Sequence, residues 1–148
     1  MVIVLFSFAL ILFISLITYS ENDPGFNTTG NGQEVANFIG LVGAYFANTA
    51  ITFMGISSYF LPLLLLSSAV GLVKSDNTKS NQQILIIKLI SFFFVFITTC
   101  TLASIHFIVP WMPEGAGGIL GMIMASFFIQ GLNVVGTSLL MLALWFSF

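Results

Sequence analysis

Few residues in this chain could do chemistry. Cysteine and histidine occur once each, as Cys100 and His106, and the acids are Glu21, Asp23, Glu34, Asp76 and Glu114. A zinc site needs three or four convergent Cys, His or acidic ligands, which one Cys and one His do not supply. No Ser, His and acid set assembles, because His106 has no acid on a neighbouring turn and every acid falls in a polar segment. No Gly-rich phosphate loop of the GxxxxGKS or GxxxxGKT type is present. Cys100 lies in an apolar run and has no partner for an internal disulfide. The cations are Lys74, Lys79 and Lys88, with no arginine, and a nucleic-acid groove needs clustered cations. The sequence therefore predicts no catalytic residue, metal site or cofactor in this chain, and no direct contact with nucleic acid. Asn27-Thr28-Thr29 matches a glycosylation sequon, a three-residue match common by chance.

The elements that carry these residues are those of a membrane protein. Hydrophobic residues make up 58% of the chain and charged residues 5%, against about 25% charged in a soluble domain. The expected class is all-α: a polytopic membrane protein of four transmembrane helices, with short outer-face helices before spans 2 and 4. The whole chain, 1–148, reads as one transmembrane domain. Spans are expected over about 2–19, 50–73, 84–109 and 132–148, outer loops over 20–37 and 110–118, and a cytoplasmic loop over 74–83. The first block has no basic leader and reads as a retained span. Bare apolar flanks at both ends suggest a piece of a longer chain.

The stretch from Ile39 to Val73 holds no charge. As one helix it would be about 52 Å long, well beyond the roughly 30 Å of a bilayer core, so it is expected to break. Its first part carries Gly40, Gly43, Ala44 and Ala47 at helical spacing, a stripe that lets another helix approach closely. Its second part carries Gly55 and also Pro62, where a kink is plausible, with the Ser57 and Ser58 hydroxyls placed to compensate the lost bond. The last stretch repeats this plan. Gly118, Gly121 and Ala125 come first, a break is expected near Gly131, and a span containing Gly136 follows. Gln130 and Asn133 are costly in lipid unless paired, so an interface or a helix contact is expected, with a polar ion site as the alternative. His106, near the far end of span 3, reads as an interfacial or hydrogen-bonded residue rather than a proton relay.

Topology is set by the lysines. Lys74, Lys79 and Lys88 flank one loop and the opposite loops have none, so that loop and both termini are expected in the cytoplasm. Residues alone reach a four-span, self-associating membrane domain. A small four-span transporter or channel subunit is the rival; it predicts polar residues converging at mid-membrane.

The order of motifs resembles the N-terminal transmembrane domain of FtsK/SpoIIIE-type DNA translocases. Tyr19-Ser20, Asn22-Asp23-Pro24 and Phe26 come after the first span. Asn37, Gly40, Gly43, Ala44 and Ala47 resemble the family's N-x-x-G-x-x-G-A-x-x-A stripe. Gly55, Tyr59 and Pro62 come next, then Gly117-Gly118-x-x-Gly121, Gly136 and a late Trp145. The cytoplasmic loop has no matching motif and the family's basic leader is missing. The resemblance implies a bacterial inner-membrane anchor at the division septum, with the lipid bilayer, other division proteins and further copies of itself as partners. It implies a hexameric parent that moves DNA during chromosome segregation. ATP and magnesium would belong to a motor domain outside this chain.

Overall fold

The computed structural model describes residues 2–32, 34–74, 82–112 and 114–147. Among them the secondary structure is all helical. The elements are α1 (Val2–Ile17), α2 (Leu41–Met54), a short 3-10 helix (Gly55–Tyr59), α3 (Phe60–Lys74), α4 (Gln82–His106) and α5 (Gly118–Ser147). Two stretches, Leu41–Ser67 and Gly118–Ser147, are long and apolar enough to cross a membrane, and Val2–Ile17 and Ile90–His106 are shorter apolar helices. Two compact units divide the chain. One holds Met1–Thr52 and Ser58–Asp76, the other Phe53–Ser57 and Asn77–Phe148.

In the first unit α1 packs on α3. Ala9, Leu12, Ser15 and Leu16 form the buried side of α1, the period expected of one helix face. Tyr59, at the entry to α3, donates its hydroxyl to the Leu16 carbonyl at the exit of α1 (3.1 Å), so the two helices run antiparallel. The Ser15 and Thr18 hydroxyls bind back to the carbonyls of Ile11 and Ile14, which satisfies them without water.

In the second unit α4 packs on α5. His106 lies beside Ser138 and Trp145 beside Thr99, so the later part of α5 runs antiparallel to α4. Thr98, Thr99 and Thr101 return their hydroxyls to helix carbonyls.

The breaks fall a few residues from where the sequence places them. α2 runs on to Met54, past the expected start of the second span at residue 50, because no breaker lies between Ala50 and Met54. The turn comes at Gly55, whose φ of 57° is a conformation glycine adopts freely. Pro62 therefore sits in the first turn of α3, where a missing N–H costs nothing, and the bend precedes it. The Ser57 and Ser58 hydroxyls donate to no carbonyl there. In α5, Gly131 stays helical and the break falls at Asn133 (φ 57°, ψ 173°). Its own Oδ1 accepts from the Val134 N–H (2.7 Å), capping the helical segment that begins there. The third helix ends at His106, short of Val109. Lys79 lies outside the described residues, and Lys74 and Lys88 fall within α3 and α4.

Candidate functional site

The polar residues of the first unit converge where α1 ends. Asp23 opens the Asp-Pro-Gly turn, yet it is only 4% exposed. Its carboxylate accepts from the Ala36 N–H (2.7 Å) and the Asn37 N–H (3.0 Å), and its carbonyl accepts from the Thr28 hydroxyl. One side chain thus closes a long loop at both edges. Asn37 goes further than capping. Its amide donates to the carbonyls of Ser15 (2.8 Å) and Thr18 (3.3 Å), groups the end of α1 leaves without helical partners. Its Oδ1 accepts from Ile39 N–H. Asn48, buried on α2, accepts from Phe26 N–H (3.0 Å) and so ties the loop to that helix. Asp-Pro-Gly signals a turn and Asn37 stands where a helix cap belongs, but neither signal shows that both residues are buried anchors. The signal available is a short polar side chain on each side of a loop that must close on itself.

The small residues divide by what surrounds them. A Cβ on Gly43 would meet Asn37 Oδ1, Ile39 Cβ (2.6 Å) and Ser15 Oγ (2.8 Å), and Ala44 and Ala47 are buried beside it. Gly40 stands in open space with φ 77°, so it serves the turn into α2 and touches no helix. Gly43, in the first turn of α2, lies against Ser15, and Tyr59, at the end of the 3-10 helix, meets Leu16, so the chain from Gly43 to Tyr59 starts and finishes at the same end of α1.

In the second unit Gly117 and Gly121 both approach the Cys100 carbonyl and Ser104, with no room for a side chain, and Ala125 is buried one turn on. Gly118 has φ 62°, and a Cβ there would press on the backbone of Phe53 and Gly55 at 2.6 Å. Gly55 rests in turn on the Ala116 carbonyl, which accepts the Ile56 N–H (2.8 Å). Gly136 meets only Leu132 of its own helix (3.2 Å). Gly117 is not among the packing residues expected from the sequence, though it is as crowded as Gly121. Residues 117–121 lie near Cys100 and Ser104, and Ser138 lies near His106, so the chain from Gly117 to Ser138 starts and finishes near the His106 end of α4.

The residues with chemical potential lie apart from each other. The Ser138 hydroxyl donates to the Val134 carbonyl (2.9 Å), so His106 Nε2, 2.8 Å away, serves as the donor to Ser138. Cys100 is buried with its Sγ 3.7 Å from the Met54 carbonyl. Gln130 and Asn133 are both exposed. No group of three His, Cys, Asp or Glu side chains comes together among the described residues.

Two antiparallel helix pairs with large apolar residues on their exposed faces fit a membrane domain. The chain belongs to the family described as the 4TM region of DNA translocase FtsK/SpoIIIE, which matches residues 1–147. The DNA translocase FtsK of Pseudomonas putida is 34% identical over 139 residues, 92% of this chain and 17% of that protein. That of Vibrio parahaemolyticus is 31% identical over 139 residues, 93% of this chain and 13% of that protein. That of Pseudomonas aeruginosa is 29% identical over 148 residues, 97% of this chain and 18% of that protein. This chain thus spans under a fifth of the length of these relatives. A family match that occupies residues 1–147 leaves no length here for a motor domain. No solved structure matches.

Proposed function

We propose that the chain is the membrane anchor and assembly domain of a DNA translocase acting in bacterial cell division and chromosome segregation. The observation that carries this is the full-length match to the four-transmembrane region, joined to a fold with packing seams and no reactive site among the described residues. In this reading α1, α3, α4 and the later part of α5 cross the inner membrane, and α2 and the early part of α5 lie on its outer side. Both termini and the loop bearing Lys74 and Lys79 are cytoplasmic, as the lysine count favours. Gly43, Ala44, Ala47, Gly118, Gly121 and Ala125 act as packing residues within the domain, where close approach replaces the hydrophobic effect. Gly55 holds a turn against loop backbone. The parent protein would be a hexamer whose ATP and magnesium sites lie in the motor. Anchoring the copies together raises their effective concentration. The domain would hold the motor at the septum through contacts with other division proteins.

The test is localisation of the chain fused at its C-terminus to a fluorescent protein in dividing cells. A midcell band coincident with constriction is the expected result. Uniform membrane fluorescence, with solute flux through liposomes carrying the purified chain, would favour a four-span transporter or channel subunit instead.

A further inference from the structure

α2 buries small and polar residues together with Ile51 and shows large apolar ones, whereas a soluble surface helix shows polar residues. Here Asn48 and Thr52 are each 3% exposed, whereas Val42 is 78% exposed, Leu41 53% and Tyr45 46%. The helix, LVGAYFANTAITFM, carries no charge. A bare apolar face of this kind needs an apolar occupant, and the surroundings say which.

The outward stripe of α1, Ile3, Phe6, Leu10, Phe13 and Ile17, keeps helical spacing and is exposed throughout. In a membrane domain that stripe faces lipid. The Phe38 N–H donates to the Thr18 hydroxyl (3.2 Å), which sets the exposed Phe38 beside the end of the stripe. Leu41 opens α2 three residues later. The exposed stripe of α1 is thus followed by Phe38 and then by Leu41 and Val42 at the start of α2. Because the chain from Gly43 to Tyr59 starts and finishes at that end of α1, the exposed face at the start of α2 lies at the end of the hairpin. The three acids of the preceding loop, Glu21, Asp23 and Glu34, offer anionic headgroups no attraction, so the contact is apolar.

We infer that α2 is an interfacial helix seated in the outer leaflet, with Leu41, Val42 and Tyr45 among the lipid acyl chains. The inference rests on the sidedness proposed above. A helix seated this way lies about 5–10 Å into the boundary between headgroups and acyl chains. It adds a lipid grip that depends on leaflet packing and is separate from the spans.

The experiment uses the full chain with Cys100→Ala, reconstituted in vesicles of phosphatidylethanolamine and phosphatidylglycerol. Single nitroxide labels are placed through V42C, through F6C on the α1 stripe and through N27C in the loop. Oxygen, which partitions into lipid, and a water-soluble nickel chelate report each label's surroundings. The V42C label is expected to match F6C, with a several-fold higher oxygen-to-nickel ratio than N27C. A V42C ratio like that of N27C would place the face in water and overturn the inference. Exclusion of both reagents from V42C would mean that protein covers the face, and would overturn it equally. In whole cells, N27C is expected to react with an impermeant maleimide added outside. Failure there, with V42C still in lipid, would overturn the outer-leaflet assignment through its sidedness alone.

Discussion

The two units close the ends of their hairpins with different materials. In the first, a long loop is tied down by side chains: the Asp23 carboxylate, the Asn37 amide and the Asn48 carbonyl oxygen each take backbone groups from distant positions. In the second, a short loop is closed by its own backbone. Met112, Gly115 and Gly118 N–H groups bind the carbonyls of Val109, Met112 and Gly115, and Gly55 and Gly118 let backbone lie on backbone. Loop length explains the contrast. A short loop can satisfy its polar groups by successive turns. A loop of some twenty residues leaves N–H groups facing inward, and buried ones must find an acceptor. Charged and amide side chains supply it in the first unit, and glycine supplies proximity in the second.

Substitutions should separate these devices. The largest effect is expected at Gly55→Ala, since the added Cβ meets the Ala116 carbonyl and φ is unfavourable as well. Backbone cannot step aside as a flexible side chain can, so a loss above about 4 kcal/mol is expected. Size-exclusion chromatography of the detergent-solubilised protein should show aggregated material; a monodisperse peak with an unchanged melting temperature would break the account of the second unit.

Gly121→Leu meets the Cys100 backbone and is expected to cost as much, whereas Gly43→Leu, crowded by side chains, comes next with a loss of about 3 kcal/mol. Gly40→Ala, in open space, should cost only about 1–2 kcal/mol through its φ. Equal melting temperatures for Gly40→Ala and Gly43→Leu would show that the seam does not begin where the geometry puts it.

Asp23→Ala strands the Ala36 and Asn37 N–H donors, the second of them buried, and a loss of about 2 kcal/mol is expected. Asp23→Asn keeps an acceptor and should lose less. Limited proteolysis should find residues 20–37 cut faster in the alanine variant while the second loop is cut at the wild-type rate. Matching acceleration in both loops would end the contrast between the units.

The smallest effect belongs to Asn133, which sits near φ 57° and caps its own segment. Asn133→Ala keeps the unfavourable φ and loses the cap, for about 1 kcal/mol. Asn133→Gly loses the cap but relieves the strain, so its melting temperature should lie above that of the alanine variant. The reverse order would mean that neither cap nor strain acts there.

Much of the fold is legible in order but not in position. The two long uncharged stretches have to break, because about 45–52 Å of helix exceeds a bilayer core. Where they break depends on local chemistry that periodicity does not report. Gly55 and Gly131 look alike in the sequence, yet only Gly55 has backbone pressed against it. Asn133 takes the second break because its own side chain can cap the next helical segment. The stripe beginning at Gly40 reads as four packing residues, but the chain enters α2 through a turn at Gly40 and the close contact begins at Gly43.

Composition and patterning by themselves determined an all-helical membrane domain. That conclusion comes from summed properties: hydropathy, spacing, and the scarcity of charge. Tertiary structure alone decided that Asp23 and Asn37 are buried anchors and that the start of α2 packs on the end of α1. It also decided which glycines are crowded. The physical reason is that a hydrogen bond or a steric contact depends on the distance between atoms remote in the chain. That distance is set only when the helices have packed.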